Sequence, residues 1–98
     1  MEKIVKVLAQ GQLREVEFQS QQNEKRVLKI IEVKLSDGTD TFIGEVTDFK
    51  AEEIARTPLR TDAFYAMQAR MNVRSWTSKA DNQTREATTI RISSLVLL

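Results

Sequence analysis

Polar and apolar residues alternate with a period of two through most of this chain, which restricts it to strands that bury one face and expose the other. Segment 3–9 (Lys-Ile-Val-Lys-Val-Leu-Ala) is rich in β-branched residues and reads as a strand. Segment 13–18 (Leu-Arg-Glu-Val-Glu-Phe) alternates and reads as its continuation beyond a kink near Gly11. The polar run from Gln19 to Glu24 reads as a loop, and segment 26–35 as a long strand. Ser36-Asp37-Gly38 is the clearest turn signal and joins that strand to segment 41–49 as a hairpin. In segment 41–49, Phe42, Gly44 and Val46 share one phase; Thr41, Ile43, Glu45, Thr47 and Phe49 share the other, largely polar one. Two placements of Phe49 follow: exposed just before the next element, or packed beneath it. A bulge at Gly44 would exchange the faces.

The period then changes. Lys50-Ala-Glu-Glu-Ile-Ala-Arg56 reads as a short helix, with Asp48 as N-cap, Glu52 and Glu53 in the first turn, and Thr57-Pro58 as the stop. Segment 65–77 returns to strand, residues 79–83 form a polar hairpin loop, and segment 84–97 is a final strand. Counting the kinked first strand as one gives an all-β domain of five strands, with one short helix between strands 3 and 4. That is the order of the OB-fold, a five-stranded Greek-key barrel. Barrels of the SH3 type usually lack a helix there.

Ninety-eight residues make one domain, taken as 1–98. The charged fraction of 30% and hydrophobic fraction of 41% suit a globular chain. With no cysteine there is neither a disulfide nor a thiolate site; with no histidine there is no His-based acid–base chemistry, Ser-His-Asp triad or usual zinc site. No phosphate-binding loop, dinucleotide fingerprint or nucleophile elbow is present, so an enzyme is not expected, nor any cofactor. Asp37, Asp40, Glu45 and Asp48 gather around a hairpin, but they miss the Ca²⁺-loop pattern and read as solvated turn residues; no metal is expected. No segment is long and apolar enough to span a bilayer and the N-terminus lacks an apolar leader, so a cytoplasmic protein is expected.

The net charge is only +1, but it is unevenly distributed. Residues 1–55 carry 8 Lys and Arg against 11 Asp and Glu, a balance of −3; residues 56–98 carry 7 against 3, a balance of +4. Six of those seven cations are arginine: Arg56, Arg60, Arg70, Arg74, Arg85 and Arg91. Arginine offers a planar fork to phosphate and a flat face to a base. Along 67–76 one phase holds Met67, Ala69, Met71 and Val73, a core face; the other holds Gln68, Arg70, Asn72, Arg74 and Trp76. Along the last strand Thr88, Ile90 and Ile92 oppose Arg85, Ala87, Thr89, Arg91 and Ser93. Pairing these strands across the loop gathers Arg70, Arg74, Trp76, Arg85 and Arg91 on one surface, with Lys79 at the hairpin tip. Such a surface suits single-stranded nucleic acid: cations neutralise phosphates and an aromatic platform stacks bases. The alternative for Trp76 is a place at the barrel end or in a subunit interface.

These residues resemble the bacterial single-stranded DNA-binding protein family, whose domain is an OB-fold. The likeness is densest over residues 65–92, where Arg74-Ser-Trp76-Thr and Arg85-Glu-Ala-Thr88 match the family's Arg-x-Trp and Arg-x-x-Thr elements in place and spacing. Phe49-Lys-Ala-Glu-Glu is similar to the family's phenylalanine-led helix motif. The resemblance implies base stacking by Trp76 and Phe49, and backbone contacts by Arg70, Arg74, Lys79, Arg85 and Arg91. It implies a homodimer or homotetramer acting in replication, plasmid maintenance or repair. The chain departs from the pattern in several places. The N-terminal Gly-x-Leu motif is reduced to Gly11-Gln-Leu13, the tryptophans near strands 2 and 3 are missing, the loop between those strands is a tight turn, and Ala69 replaces a glycine. The chain ends at Leu95-Val-Leu-Leu98 without the family's acidic tail, so recruitment of repair enzymes is not expected and plasmid-borne or primosomal relatives are the nearer comparison. Leu95 to Leu98 suits a core or an interface. RNA satisfies the same contacts as DNA. A protein-interaction subunit, its Arg/Trp face meeting a protein partner, is the competing expectation, because Trp and Arg also dominate protein hot spots.

Overall fold

Six strands and one helix follow along the chain: β1 (Glu2–Gln10), β2 (Arg14–Gln19), β3 (Lys25–Ser36), β4 (Thr41–Thr47), α1 (Asp48–Arg56), β5 (Phe64–Thr77) and β6 (Thr84–Leu97). The computed structural model describes residues 1–19, 25–77 and 80–98, with all their side chains except those of residues 18, 19, 25, 26, 73–77 and 85–87. Six strands stand where five were expected because the bent first strand is interrupted: Gly11, Gln12 and Leu13 leave the ladder between β1 and β2. At the break the Gly11 N–H donates to the Glu32 carbonyl at 2.8 Å, and a Cβ on Gly11 would lie 3.1 Å from that oxygen. The close approach of two backbones favours glycine there.

The strands form one sheet whose hydrogen bonding runs in a ring. β1 pairs antiparallel with β5 (Ile4 opposite Ala66) and, past its midpoint, with β3 (Val7 opposite Leu35). β2 continues along β3 (Val16 opposite Leu28), and β3 pairs with β4 (Val33 opposite Gly44). β4 meets β6 in parallel at Gly44/Ile90 and Glu45/Arg91, and β6 returns along β5 from Thr77/Thr84 to Tyr65/Leu97. Register shifts between Val7 and Ala9 in β1, and between Gln68 and Ala69 against β6, bend the ladders where the ring turns.

The two-residue period explains the core. Val5 and Val7; Ile31, Val33 and Leu35; Tyr65, Met67 and Ala69; Val46 and Ile92 all point inward, with Ala51 of α1 closing one end. Each fully buried Val, Leu, Ile or Met side chain contributes roughly 1.5–3 kcal/mol. Phe42 packs partly against this cluster, so the apolar phase of β4 is the inner one. Gly44 is not a bulge, since the β3–β4 register runs through it unbroken. It is the point of closest approach across the core: a Cβ there would lie 2.5 Å from Ile92 Cδ1 and 3.2 Å from Leu35 Cδ1. Met71, expected in the core, is 66% exposed. Its partner Ile90 is also the first β6 position paired with β4, so Met71 stands at the rim where the β5–β6 pair joins the ring. Leu95 packs against the core, while Val96, Leu97 and Leu98 are exposed.

At the Ser36–Asp40 turn, Gly38 takes φ +93. The Asp37 carboxylate accepts from the N–H groups of Asp40 (2.8 Å) and Thr39 (2.9 Å) and from Lys3 Nζ (3.0 Å). Those bonds, the Asp40 and Thr39 amides foremost, lower its pKa to about 2. The helix begins earlier than expected. Asp48 is its first residue, at φ +54, and Thr47 stands in the cap position with no side-chain hydrogen bond. Asp tolerates this left-handed backbone better than most residues, and the sharp turn is made there. α1 is held from both sides: Lys29 on β3 pairs with Glu52, raising the Lys29 pKa and lowering that of Glu52. The Gln10 amide donates to Ile54 O at 3.0 Å and accepts from Leu59 N at 2.9 Å. Among the described residues no helix is long and apolar enough to cross a membrane.

Candidate nucleic-acid interface

The outward phases of four neighbouring strands carry a row of charges. Glu32 on β3 lies opposite Glu45 on β4, Glu45 beside Arg91 on β6, and Arg91 opposite Arg70 on β5. Residues in register on adjacent strands stand about 5 Å apart on one face. The row therefore reads acid, acid, base, base across the sheet. Arg14 of β2 ion-pairs with Glu32 at its acidic end. Glu45 is 9% exposed although its phase points outward. Arg91 is half-buried and Arg70 exposed. The Arg91 Nε has no hydrogen-bond partner among the described residues.

Above the basic end lies an open groove lined by Thr47, Lys50, Arg70, Arg91, Ile92 and Ser93. It lies between the start of α1 and the β5–β6 pair, so three cations from three elements face one depression. Ser93 Oγ donates to the Gln68 carbonyl at 3.0 Å, which holds the bulged strand in place at the groove floor. Phe49, next in sequence to Lys50, is 69% exposed. Of its two expected placements the outward one is found, although Phe49 belongs to α1 rather than to the end of a strand.

The other expected site residues are placed by backbone alone or not at all. Along β5 the register pairs Arg74 with Ala87 and Trp76 with Arg85, the pairing expected of the hairpin. The side chains of Arg74, Trp76 and Arg85 lie outside the described residues, as does Lys79 entirely. The loop before β6 is fixed by Asp81 Oδ1, which accepts from the Gln83 N–H at 3.1 Å, and by Asn82 at φ +54. Sequence reasoning missed Lys50, Thr47 and Glu45. Lys50 had a signal, being the one cation between positions 35 and 55. Glu45 had none, because alternation counted it as solvated.

Around the hairpin expected to gather carboxylates, Asp37 is engaged by amides and Lys3, and no cluster of three or more metal-ligating groups lies among the described residues. Compared with known proteins, the chain matches no family model and no curated protein.

Proposed function

We propose that this protein is an OB-fold domain that binds single-stranded DNA with little sequence preference. If β1 and β2 are taken as one bent strand, the ring of pairings follows the OB order, its one parallel contact between the third and last strands and its helix between the third and fourth. The observation that carries the reading is the direct cross-strand pairing of Arg70 with Arg91. Like charges set opposite one another destabilise a sheet, and a bound anion removes that penalty. With Lys50 in the same groove and Phe49 exposed on the preceding residue of α1, the surface offers phosphate neutralisation and a stacking ring. On the same reading, Arg74, Arg85 and Lys79 would meet further phosphates, and Trp76 would stack a second base.

The same proposal includes self-association. On the outer faces of β1, β5 and β6, Ile4, Phe64, Val96 and Leu98 are exposed, and Ile4, Ala66 and Val96 stand in one row. Apolar patches of this kind mark contact sites.

Trp76 is the chain's only tryptophan, so its fluorescence reports on one place. Titration with oligo-dT at low salt is expected to quench it strongly, with the quench weakening as salt rises. An unchanged spectrum together with no mobility shift would overturn the reading and move the function to a protein partner.

A further inference from the structure

We infer that the bound strand's sugar–phosphate backbone runs through the Lys50–Arg91–Arg70 groove and does not cross the β3–β4 surface. This rests on the single-strand reading above and adds the path and the polarity of the face. Three observations carry it.

The first is which cations are already engaged. Lys3 is paired with Asp37, Lys6 with Asp62, Arg14 with Glu32 and Lys29 with Glu52. All four lie on β1, β2 or β3. Lys50, Arg70 and Arg91 form no ion pair among the described residues. A phosphate entering the groove meets cations that need not surrender a carboxylate first. One reaching the β2–β3 side must displace one.

The second is the acid pair. Glu32 and Glu45 face each other across β3 and β4, in the same row as the arginines. A strand crossing from the groove towards β3 would bring its phosphates over two carboxylates, one of them scarcely solvated. Arg14 already matches the Glu32 carboxylate, so that end of the row has no spare positive charge for a phosphate, while Arg70 and Arg91 attract one at the other end. The third is the position of Phe49. It precedes Lys50 in the first turn of α1 and its ring is exposed, so the end of the helix that contributes Lys50 to the groove also offers a ring to a base.

The inference is tested with Lys50→Ala and Arg70→Ala on one side and Arg14→Ala and Lys34→Ala on the other. Lys34 shares the outward phase of Glu32 on β3 and is exposed. Binding of fluorescein-labelled oligo-dT is followed by anisotropy over a salt series, with thermal melts confirming that each variant is folded. The groove variants are expected to lose about tenfold in affinity each, and the slope of log affinity against log salt to fall by about 0.7 for each phosphate contact removed. The β2–β3 variants are expected to stay within twofold of the parent. Losses at Lys34 and Arg14 equal to or larger than those at Lys50 and Arg70 would overturn the path while leaving single-strand binding intact. A parent protein that binds no oligo-dT would overturn the single-strand reading, and the path with it.

Discussion

The Arg70–Arg91 pair is costly in the free protein and useful only with a ligand, and this gives it a signature that separates it from a structural pair. Arg70→Thr removes one of two opposed cations from an exposed position and adds a β-branched residue that suits a strand. The variant is expected to unfold in denaturant at the parent midpoint or slightly above it, while its oligo-dT affinity falls. A loss of stability instead would mean that Arg70 is held by contacts within the fold. Phe49→Ala separates the same two quantities. An exposed ring adds little to stability, within about 0.5 kcal/mol, whereas a stacked base is worth roughly 1–3 kcal/mol. Gly44→Ala is the opposite case. The added methyl meets Ile92 Cδ1 at 2.5 Å and Cγ1 at 2.9 Å inside a closed core, and overpacking of this kind costs about 1–3 kcal/mol. A lowered denaturation midpoint with an unchanged slope checks it. Residue by residue, the sequence disclosed an outward phase more readily than it disclosed burial. Arg70 is exposed as its phase implies, and Phe49 takes the outward of its two expected placements as a residue of α1. Glu45 shares that phase and is buried, because alternation specifies a side of the sheet but not what the neighbouring strands bring over it.

Among the elements, the β3–β4 hairpin shows how local chemistry fixes register. Asp37 closes the turn on two backbone amides and ties it to Lys3 of β1. Its carboxyl is held near pKa 2, below its ordinary 3.8, so the folded state prefers the ionised form. That contribution is complete above about pH 4 and is lost as pH falls towards 2. Asp37→Asn is therefore expected to melt earlier than the parent at neutral pH and to lose less stability between pH 4 and pH 2. Parallel pH profiles for the two proteins would show that the turn does not depend on that charge. The turn was legible because Ser-Asp-Gly is a local signal. Strands, helix and hairpins were legible for the same reason: each is written in a period or a punctuating residue. Two features were not. The break after Gln10 interrupts one run along β3, where the four steps from Gln10 to Arg14 span only three on β3, from Val33 to Ile30, and Gly11 marks only its place. The exposure of Met71 arises from where the β4–β6 pairing begins, which no residue of β5 encodes.

For the whole molecule, the ring separates two surfaces with different character. The groove offers Lys50, Arg70 and Arg91. The outer face of β1, β5 and β6 offers Ile4, Phe64, Val96 and Leu98 to solvent. On β1 the apolar centre is flanked by opposite charges two residues away on either side, Glu2 and Lys6. A two-fold axis along the Ile4–Ala66–Val96 row lays β1 antiparallel over its copy and sets Glu2 of one copy above Lys6 of the other, twice per pair. The alternative axis, along the strands, stacks Glu2 on Glu2 and Lys6 on Lys6. The charge pattern thus selects one self-complementary arrangement, as an isologous contact requires. Sedimentation of the parent is expected to give a dimer or a multiple of it. Ile4→Glu places a carboxylate at the axis and is expected to give a monomer of unchanged circular dichroism. Lys6→Glu is expected to weaken association by setting acid over acid, and adding Glu2→Lys to restore it, because the pair is then only exchanged. A parent that sediments as a monomer at high concentration would remove self-association from the proposal. A double variant no better than Lys6→Glu would keep the oligomer but discard this axis, since only the antiparallel stack makes the two substitutions compensate.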